Sequence, residues 1–240
     1  MNLIASELAP KGVLRVGINL SNFLLVSGRK KNGDPKGIAP DLAAEIARDL
    51  DINVRYICFD TPRELADAAV EQSWDIALIG REPERAQRIN FTGAYIQIDA
   101  TYLVFEESDI RNILDIDRVG VSVAVAEGTA YDLYLTRTLK NARLVRASGL
   151  DGAYELFSGE RLDALAGLRP ALSENLRTLN NARILAGGFT MVQQAIGVPV
   201  ERSAGYDYLC AYIENAKASG LISALISKYG VEGVTVAPCL

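Results

Sequence analysis

The strand-like run "DIALIG" (75–80) empties without a spacer into Arg81, Glu82, Glu84, Arg85 and Arg88. An arginine guanidinium forks onto a carboxylate through two parallel hydrogen bonds. Open α/β sheets place their ligands just outside the C-terminal ends of the strands. An arginine directly after a core strand is therefore placed to hold an anion; the competing reading is a surface charge paired with Glu82 or Glu84. "EGTAYD" (127–132) is a second anion-binding candidate. Glycine and threonine at a helix start leave backbone N–H groups and the positive end of a helix dipole without intrahelical partners. Gly128, Thr129 and Ala130 would supply those groups, and Thr129 is equally suited to cap the helix.

Neither element carries covalent chemistry. The chain has no histidine, which removes Ser-His-Asp and Cys-His nucleophiles and the usual zinc sites. Its three cysteines, Cys58, Cys210 and Cys239, are too scattered for a metal cluster, and no cofactor is implied. Cys58 lies in an apolar run and reads as core. Cys210 and Cys239 pair only if the tail folds back onto the last helix, which spacing does not decide.

The elements that must hold these groups alternate regularly. "VLRVGINL" (13–20), "NVRYICF" (53–59) and "DIALIG" (75–80) read as strands. Between them, 40–50 has apolar residues at helical spacing with Pro40 in its first turn, and 61–72 reads as a helix capped by Thr61 with Pro62 first. Strand–helix alternation of this kind implies a parallel sheet with helices packed on it. A long extended run without a breaker, "AYIQIDATYLVFEE", begins at Ala94. The alternation then restarts: strands at 119–126, 142–147 and 162–167, helices at 130–139, 150–159 and 170–179. A second extended run (189–199) leads into a helix at 204–230 interrupted by Gly220. Two α/β bodies joined by two extended crossings fit this order better than one doubly wound sheet. The expected boundaries are 1–99 with 196–240 for the first body and 100–195 for the second, with crossings near 97–104 and 191–198.

With 240 residues, 49% apolar and 23% charged, the chain suits one large α/β domain or two small lobes. Its apolar runs are far shorter than a bilayer span. A net charge of −5 and no dense basic tract give no footprint for nucleic acid. "MNLIASELAPKGVLRV" lacks the charged start, apolar stretch and cleavage site of a secretory signal. Either export is specified ahead of this chain, or the protein stays in the cytoplasm.

The order "VGIN…GIAPDLAAEIA…WDIALIG…PERAQRINFTGAY…VAVAEGTAYDLYL…GERLDALAGLRPAL…VQQAIGVP" resembles the type II solute-binding proteins of ABC importers, the polar amino-acid group in particular. The resemblance rests on Gly37 and Asp41 before the first helix, Glu84–Arg85 before Phe91–Thr92, Gly128–Thr129, and Asp163–Ala164, in register over most of the chain. It implies a two-lobed α/β periplasmic-binding-protein fold, each lobe a mostly parallel sheet flanked by helices. A two-strand hinge would join the lobes, and a ligand would be gripped in the cleft. It also implies a periplasmic location, an importer membrane subunit as partner and a monomeric state. In that family the arginine matching Arg85 usually holds the ligand's carboxylate, and Gly128, Thr129 and Ala130 would close over it from the second lobe. Leu78 and Gly80, on the strand that delivers Arg85, belong to the same expected site, whereas Arg81 and Arg88 read as solvated charges.

Departures from the family pattern narrow the ligand. Amino-acid binders generally place an acid where this chain has Leu168, to pair with the ligand's ammonium. A buried ammonium without a carboxylate costs several kcal/mol, so either the ligand carries no α-amino group or another acid has moved in. After the first strand come Asn19, Asn22 and Phe23, with amides suited to a hydroxyl, amide or neutral ligand end. Asp60 points into the cleft or caps a helix. Ala126 stands where some relatives carry a long polar residue, with Glu127 and Tyr131 nearby. Gln193 and Gln194 face opposite ways at hinge level, one of them towards the ligand; Gln193 is counted with the site. These positions favour a small organic carboxylate or an amino-acid derivative, bound without chemistry. The alternatives are a cytoplasmic sensor of the same fold and a cyclohexadienyl-dehydratase-like lyase, for which Glu127 and Asp60 are the candidate acids.

Overall fold

Leu14, Val16 and Ile18 are wholly buried, and the strand they form, β1 (Val13–Asn19), is covered on both faces. The computed structural model describes residues 3–179, 181–200 and 203–240 and divides into two compact units, Met1–Gln97 with Gln193–Leu240, and Ile98–Val192. The first unit begins with α1 (Leu3–Leu8), then β1, a short hairpin of β2 (Gly28–Arg29) and β3 (Pro35–Lys36), and α2 (Ile38–Asp49). It continues with β4 (Asn53–Phe59), α3 (Pro62–Asp67) and β5 (Ile76–Gly80). β6 (Ile89–Phe105) carries the chain into the second unit. That unit holds β7 (Ser122–Ala126), α4 (Ala130–Thr138), β8 (Arg143–Ala147) and α5 (Gly149–Gly159). It closes with β9 (Ala164–Leu168), α6 (Arg169–Leu176) and β10 (Ala182–Ile184). β11 (Thr190–Pro199) returns to the first unit, completed by α7 (Ser203–Ala218), α8 (Leu221–Tyr229) and β12 (Val234–Val236).

In the first unit the strands run β4-β1-β5-β11-β6, with β12 also on β6. β4, β1 and β5 are parallel, in the registers Asn19↔Phe59 and Ile18↔Leu78, and β11 is antiparallel to β5. All five residues of β5 are buried, as its continuous apolar run requires of a central strand. The edge strand β4 is buried at none of its residues. In the second unit the order is β6-β9-β7-β8, with β10 also on β6. β7 lies parallel to both β8 and β9. Alternation along these strands feeds two cores, one around Val123, Val125, Ala166 and Tyr102, the other around Ala124, Leu165, Phe105 and Phe157. The Phe105 and Phe157 rings stack at 4.6 Å.

The helix expected over 61–72 stops at Asp67. Its start is as expected, Thr61 Oγ1 accepting the Glu64 N–H at 3.1 Å with Pro62 first. Its second half opens into turns, with Ala69 N donating to Ala66 O, Val70 N to Asp67 O and Gln72 N to Ala69 O, and Gln72 is left-handed at φ 48°; Arg15 Nη1 takes the carbonyls of Gln72 (2.8 Å) and Ser73 (3.3 Å). Beyond that, Trp74 is wholly buried with Nε1 donating to Leu65 O at 3.0 Å. The long final helix is two helices, since Gly220 is left-handed at φ 80° and ends the first. Elements with no signal in the pattern are α1, the β2–β3 hairpin, β10 and β12, all of six residues or fewer.

Asp41 lies inside α2 rather than before it, buried in the first turn. It accepts from Lys228 Nζ at 2.7 Å and Tyr229 Oη at 2.5 Å and pairs with Lys30 at 3.2 Å, fastening the end of α8 and the hairpin to α2. Burial alone would raise its carboxyl pKa, but the hydrogen bonds from Lys228, Tyr229 and Lys30 outweigh it and hold it below the ordinary 3.8. A depressed carboxyl contributes stability that is present above the unfolded value and lost as pH falls through the folded one. Asp41→Asn is expected to cost about 1–3 kcal/mol at pH 7, as for lost hydrogen bonds to a charged group. Urea melts at pH 7 and at pH 3 should show the gap between wild type and variant shrinking at the lower pH.

Candidate functional site

Parallel pairing brings the C-terminal ends of β1, β4 and β5 to one edge of the first unit, placing Asn19, the Phe59–Asp60 step and Gly80 there. Asn19 Oδ1 accepts from Ser21 N at 3.1 Å and Ser21 Oγ at 2.8 Å, which fixes the turn out of β1. In the loop that follows, Asn22 O takes the N–H groups of Leu25 and Val26, while its side-chain Oδ1 is buried without a hydrogen-bond partner among the described residues. Phe23 is 43% exposed, unusual for a ring its size. Asp60 is exposed, and Thr61 caps α3, so the capping alternative for Asp60 is corrected.

Arg85 opens a short 3₁₀ turn, Arg85–Gln87. It is buried, with Nη1 donating to Gly80 O at 2.6 Å, so the reading of Arg85 as a surface charge is corrected as well. Burial lowers its pKa to about 10, against the raising influence of Glu82 and Glu84. Glu82 is buried too, which its place in a charged run gave no reason to expect, whereas Arg81 and Arg88 are exposed. Leu78 is a core residue, 3% exposed. β11 adds Gln194 opposite Gly80, and Gln193 O accepts the Arg81 N–H at 2.7 Å. Gln194 is buried and Gln193 half-buried. The structure thus gathers Gly80, Arg85 and the two glutamines at one end of β5, with Asn19 and Asp60 on the neighbouring strand ends.

In the second unit β7 and β9 are parallel, so Gly128–Ala130 and Leu168 follow strand ends on one edge. Gly128 is left-handed (φ 71°), which turns the chain into α4. Thr129 caps the helix, its Oγ1 accepting the Asp132 N–H at 3.2 Å and donating to Ala126 O at 2.9 Å. Asp132 returns the interaction: its buried carboxylate accepts the Gly128 N–H at 2.9 Å and pairs with Arg146 Nε at 3.0 Å. The Gly128 N–H is therefore engaged inside the unit. The Ala130 and Tyr131 N–H groups stand in the first turn, where no intrahelical acceptor exists. Asp132 and Arg146 went unread in the sequence; an acid three residues after a capping threonine is the signal that would have found Asp132. Leu168, half-buried, packs against the core that contains Ala100 and Tyr102.

Cys58, Cys210 and Cys239 are free thiols. The tail does fold back, with Lys217 Nζ donating to Pro238 O at 2.7 Å and Leu240 N to Glu214 Oε2 at 3.0 Å. These contacts seat Cys239 beside a later turn of α7 than the one carrying Cys210. Among the described residues no group of three or more acidic or cysteine side chains could hold a metal ion, and no helix is long and apolar enough to cross a membrane.

A sequence profile of the bacterial extracellular solute-binding proteins, family 3, matches residues 14–232. The chain belongs to that family. Solved structures agree on the two-lobed binding-protein fold. A mutant of ArgBP from T. maritima is 23% identical with a TM-score of 0.75, over 95% of this chain and 100% of that one. The ancestral amino acid-binding protein AncCDT-1, a precursor of cyclohexadienyl dehydratase, is 21% identical with a TM-score of 0.76, over 93% and 97%. A putative binding component of an ABC transporter from Wolinella succinogenes, complexed with lysine, is 20% identical with a TM-score of 0.74, over 91% and 95%. At these identities the likeness carries the fold.

Proposed function

We propose that this family 3 protein is a monomeric periplasmic receptor that closes its two units around a small carboxylate-bearing ligand for an ABC importer. The ligand is an organic acid or an amino-acid derivative. The observation that carries this reading is Arg85, a buried guanidinium at the C-terminal end of β5. A guanidinium at a strand end of an open α/β sheet is placed to fork onto a carboxylate through two parallel hydrogen bonds. From the second unit, the first-turn N–H groups of α4 supply a complementary anion cradle. Leu168 offers no charge to an ammonium, which favours ligands without a free α-amino group. Closing on the ligand requires no chemistry, only tighter binding to the closed form than to the open one. The relatives named for amino acids make amino acids the first comparison class.

AncCDT-1 brings the lyase alternative into view. Its candidate acids here, Asp60 and Glu127, are both exposed, without the burial by which a catalytic acid is tuned towards neutrality.

The test is thermal unfolding of the protein against amino acids, keto acids, hydroxy acids and aromatic acids. A ligand at 100 times its Kd stabilises by about 2.7 kcal/mol. At roughly 2–4 °C per kcal/mol, that raises Tm by about 5–11 °C. A shift with keto or hydroxy acids supports the reading. A shift confined to free amino acids would overturn the inference from Leu168, and none at all would remove the carboxylate ligand.

A further inference from the structure

Arg169 draws together three separated stretches of the second unit. It is the first residue of α6, directly after Leu168. Its Nε donates to Asp99 Oδ2 at 2.6 Å, its Nη2 to Gly187 O at 2.6 Å and its Nη1 to Leu185 O at 3.3 Å. Asp99 lies where β6 enters the unit, and Leu185 and Gly187 lie just before β11 leaves it. The same two stretches are also laced directly: Phe189 N donates to Ala100 O, Leu185 N to Tyr102 O, and the buried Thr101 Oγ1 to Gly187 O at 2.9 Å. Asp99 sits so close to Gly188 that a Cβ there would collide with its Oδ1 and stand 2.9 Å from Ala100 O. The Arg169 and Asp99 side chains are 33% and 27% exposed, more enclosed than the pair Arg161–Glu107 at 61% and 58%. A rigid fork that reaches one carboxylate and two carbonyls is a task a lysine point charge cannot reproduce.

We propose that Arg169 and Asp99 form a clasp that fuses the entry strand β6 and the segment leading into β11 to the end of β9. The bending that closure requires then falls outside residues 99–102 and 185–189. The inference rests on the receptor reading above, because only a protein that opens and closes has a bend to place.

Amide hydrogen exchange on the ligand-free full chain tests it, comparing wild type, Arg169→Met and Arg169→Lys. In wild type, amides of 99–102 and 185–189 should be as protected as those of β7. In Arg169→Met they should exchange about tenfold faster while β7 stays within about twofold, a local opening rather than a global one. The lysine variant, keeping the charge pair and losing the fork, should fall between. Unchanged exchange in Arg169→Met would reduce the pair to an ordinary ion pair of little worth and overturn the clasp. So would equal acceleration throughout the unit, which reports lost stability alone. A failed ligand panel would sink the receptor reading and leave these exchange rates untouched, so the two failures are distinguishable.

Discussion

Alanine in place of Asp75 is expected to cost about 3–5 kcal/mol, the usual penalty for removing one partner of a buried ion pair. Asp75 is completely buried at the entrance to β5. Its Oδ1 accepts from Arg15 Nη2 at 2.7 Å, and its Oδ2 from Arg15 Nε at 3.0 Å and Arg15 N at 2.9 Å. The same guanidinium holds Gln72 O and Ser73 O. Removing the carboxylate leaves a buried arginine beside Trp74 with no anion and orphans the Arg15 N–H on β1. Tm should fall by roughly 6–20 °C for a chain of this size, read by urea or thermal denaturation. A drop of less than about 1 kcal/mol would mean that water enters and solvates Arg15, contrary to its 9% exposure. Replacing both partners with apolar residues, Arg15→Met with Asp75→Leu, should recover only part of the loss, because the Arg15 N–H, Gln72 O and Ser73 O stay without their partners.

Arg85 is also a buried charge and should behave in the opposite way. Burial lowers its pKa to about 10 from 12.5. For a base, a depressed pKa means that the folded state resists the proton, so the charged form opposes folding at neutral pH by a few kcal/mol in order of magnitude. Arg85→Met keeps the bulk and removes the charge. Relief of that burial is set against loss of the Gly80 O hydrogen bond and of the attraction to Glu82 and Glu84, so the ligand-free variant is expected to melt near the wild-type temperature. Its affinity for any carboxylate that stabilises wild type should fall roughly 30-fold or more, corresponding to the 2–5 kcal/mol lost when one side of a desolvated charge pair is truncated. Calorimetric titration alongside the melts separates the two effects. A variant that melts well below wild type would make Arg85 a structural residue instead. Asp75 is therefore tested by stability alone, and Arg85 by stability and carboxylate affinity together.

What was legible in the sequence followed from local rules. The three parallel strands of the first unit were visible as apolar runs, and α3 announced its start through Thr61 and Pro62. Gly220 marked the break between α7 and α8 because only a left-handed residue ends a helix there cheaply. The losses were long-range. Nothing near Asp41 predicts partners at Lys228 and Tyr229, and nothing near Gln72 says that Arg15 will bond its carbonyl. Gly37 illustrates the same limit. It was legible as a family anchor, but its reason is a positive φ of 149° and the close pass of the Leu25–Val26 backbone, whose Leu25 O an added Cβ would strike. At the strand-end edges of each unit, the burial of Arg85 and the capping by Thr129 belong to residue types that could be read. Burial of Glu82 and the engagement of the Gly128 N–H by Asp132 depend on how side chains fold back, which spacing does not encode.

The route of the chain also sets a timetable for its birth. The second unit is one continuous stretch, Ile98–Val192, and is complete as soon as the ribosome has finished it. The first unit cannot close until β11 arrives, since β5 pairs Gly80 with Gln194 and Ala77 with Gly197. At about 5–20 residues per second, the strand waits roughly 6–23 s for that partner. Throughout that interval β5, whose five residues are all buried in the finished fold, presents an unpaired apolar edge. Wherever the chain folds, that edge stays open to wrong partners until β11 is in place.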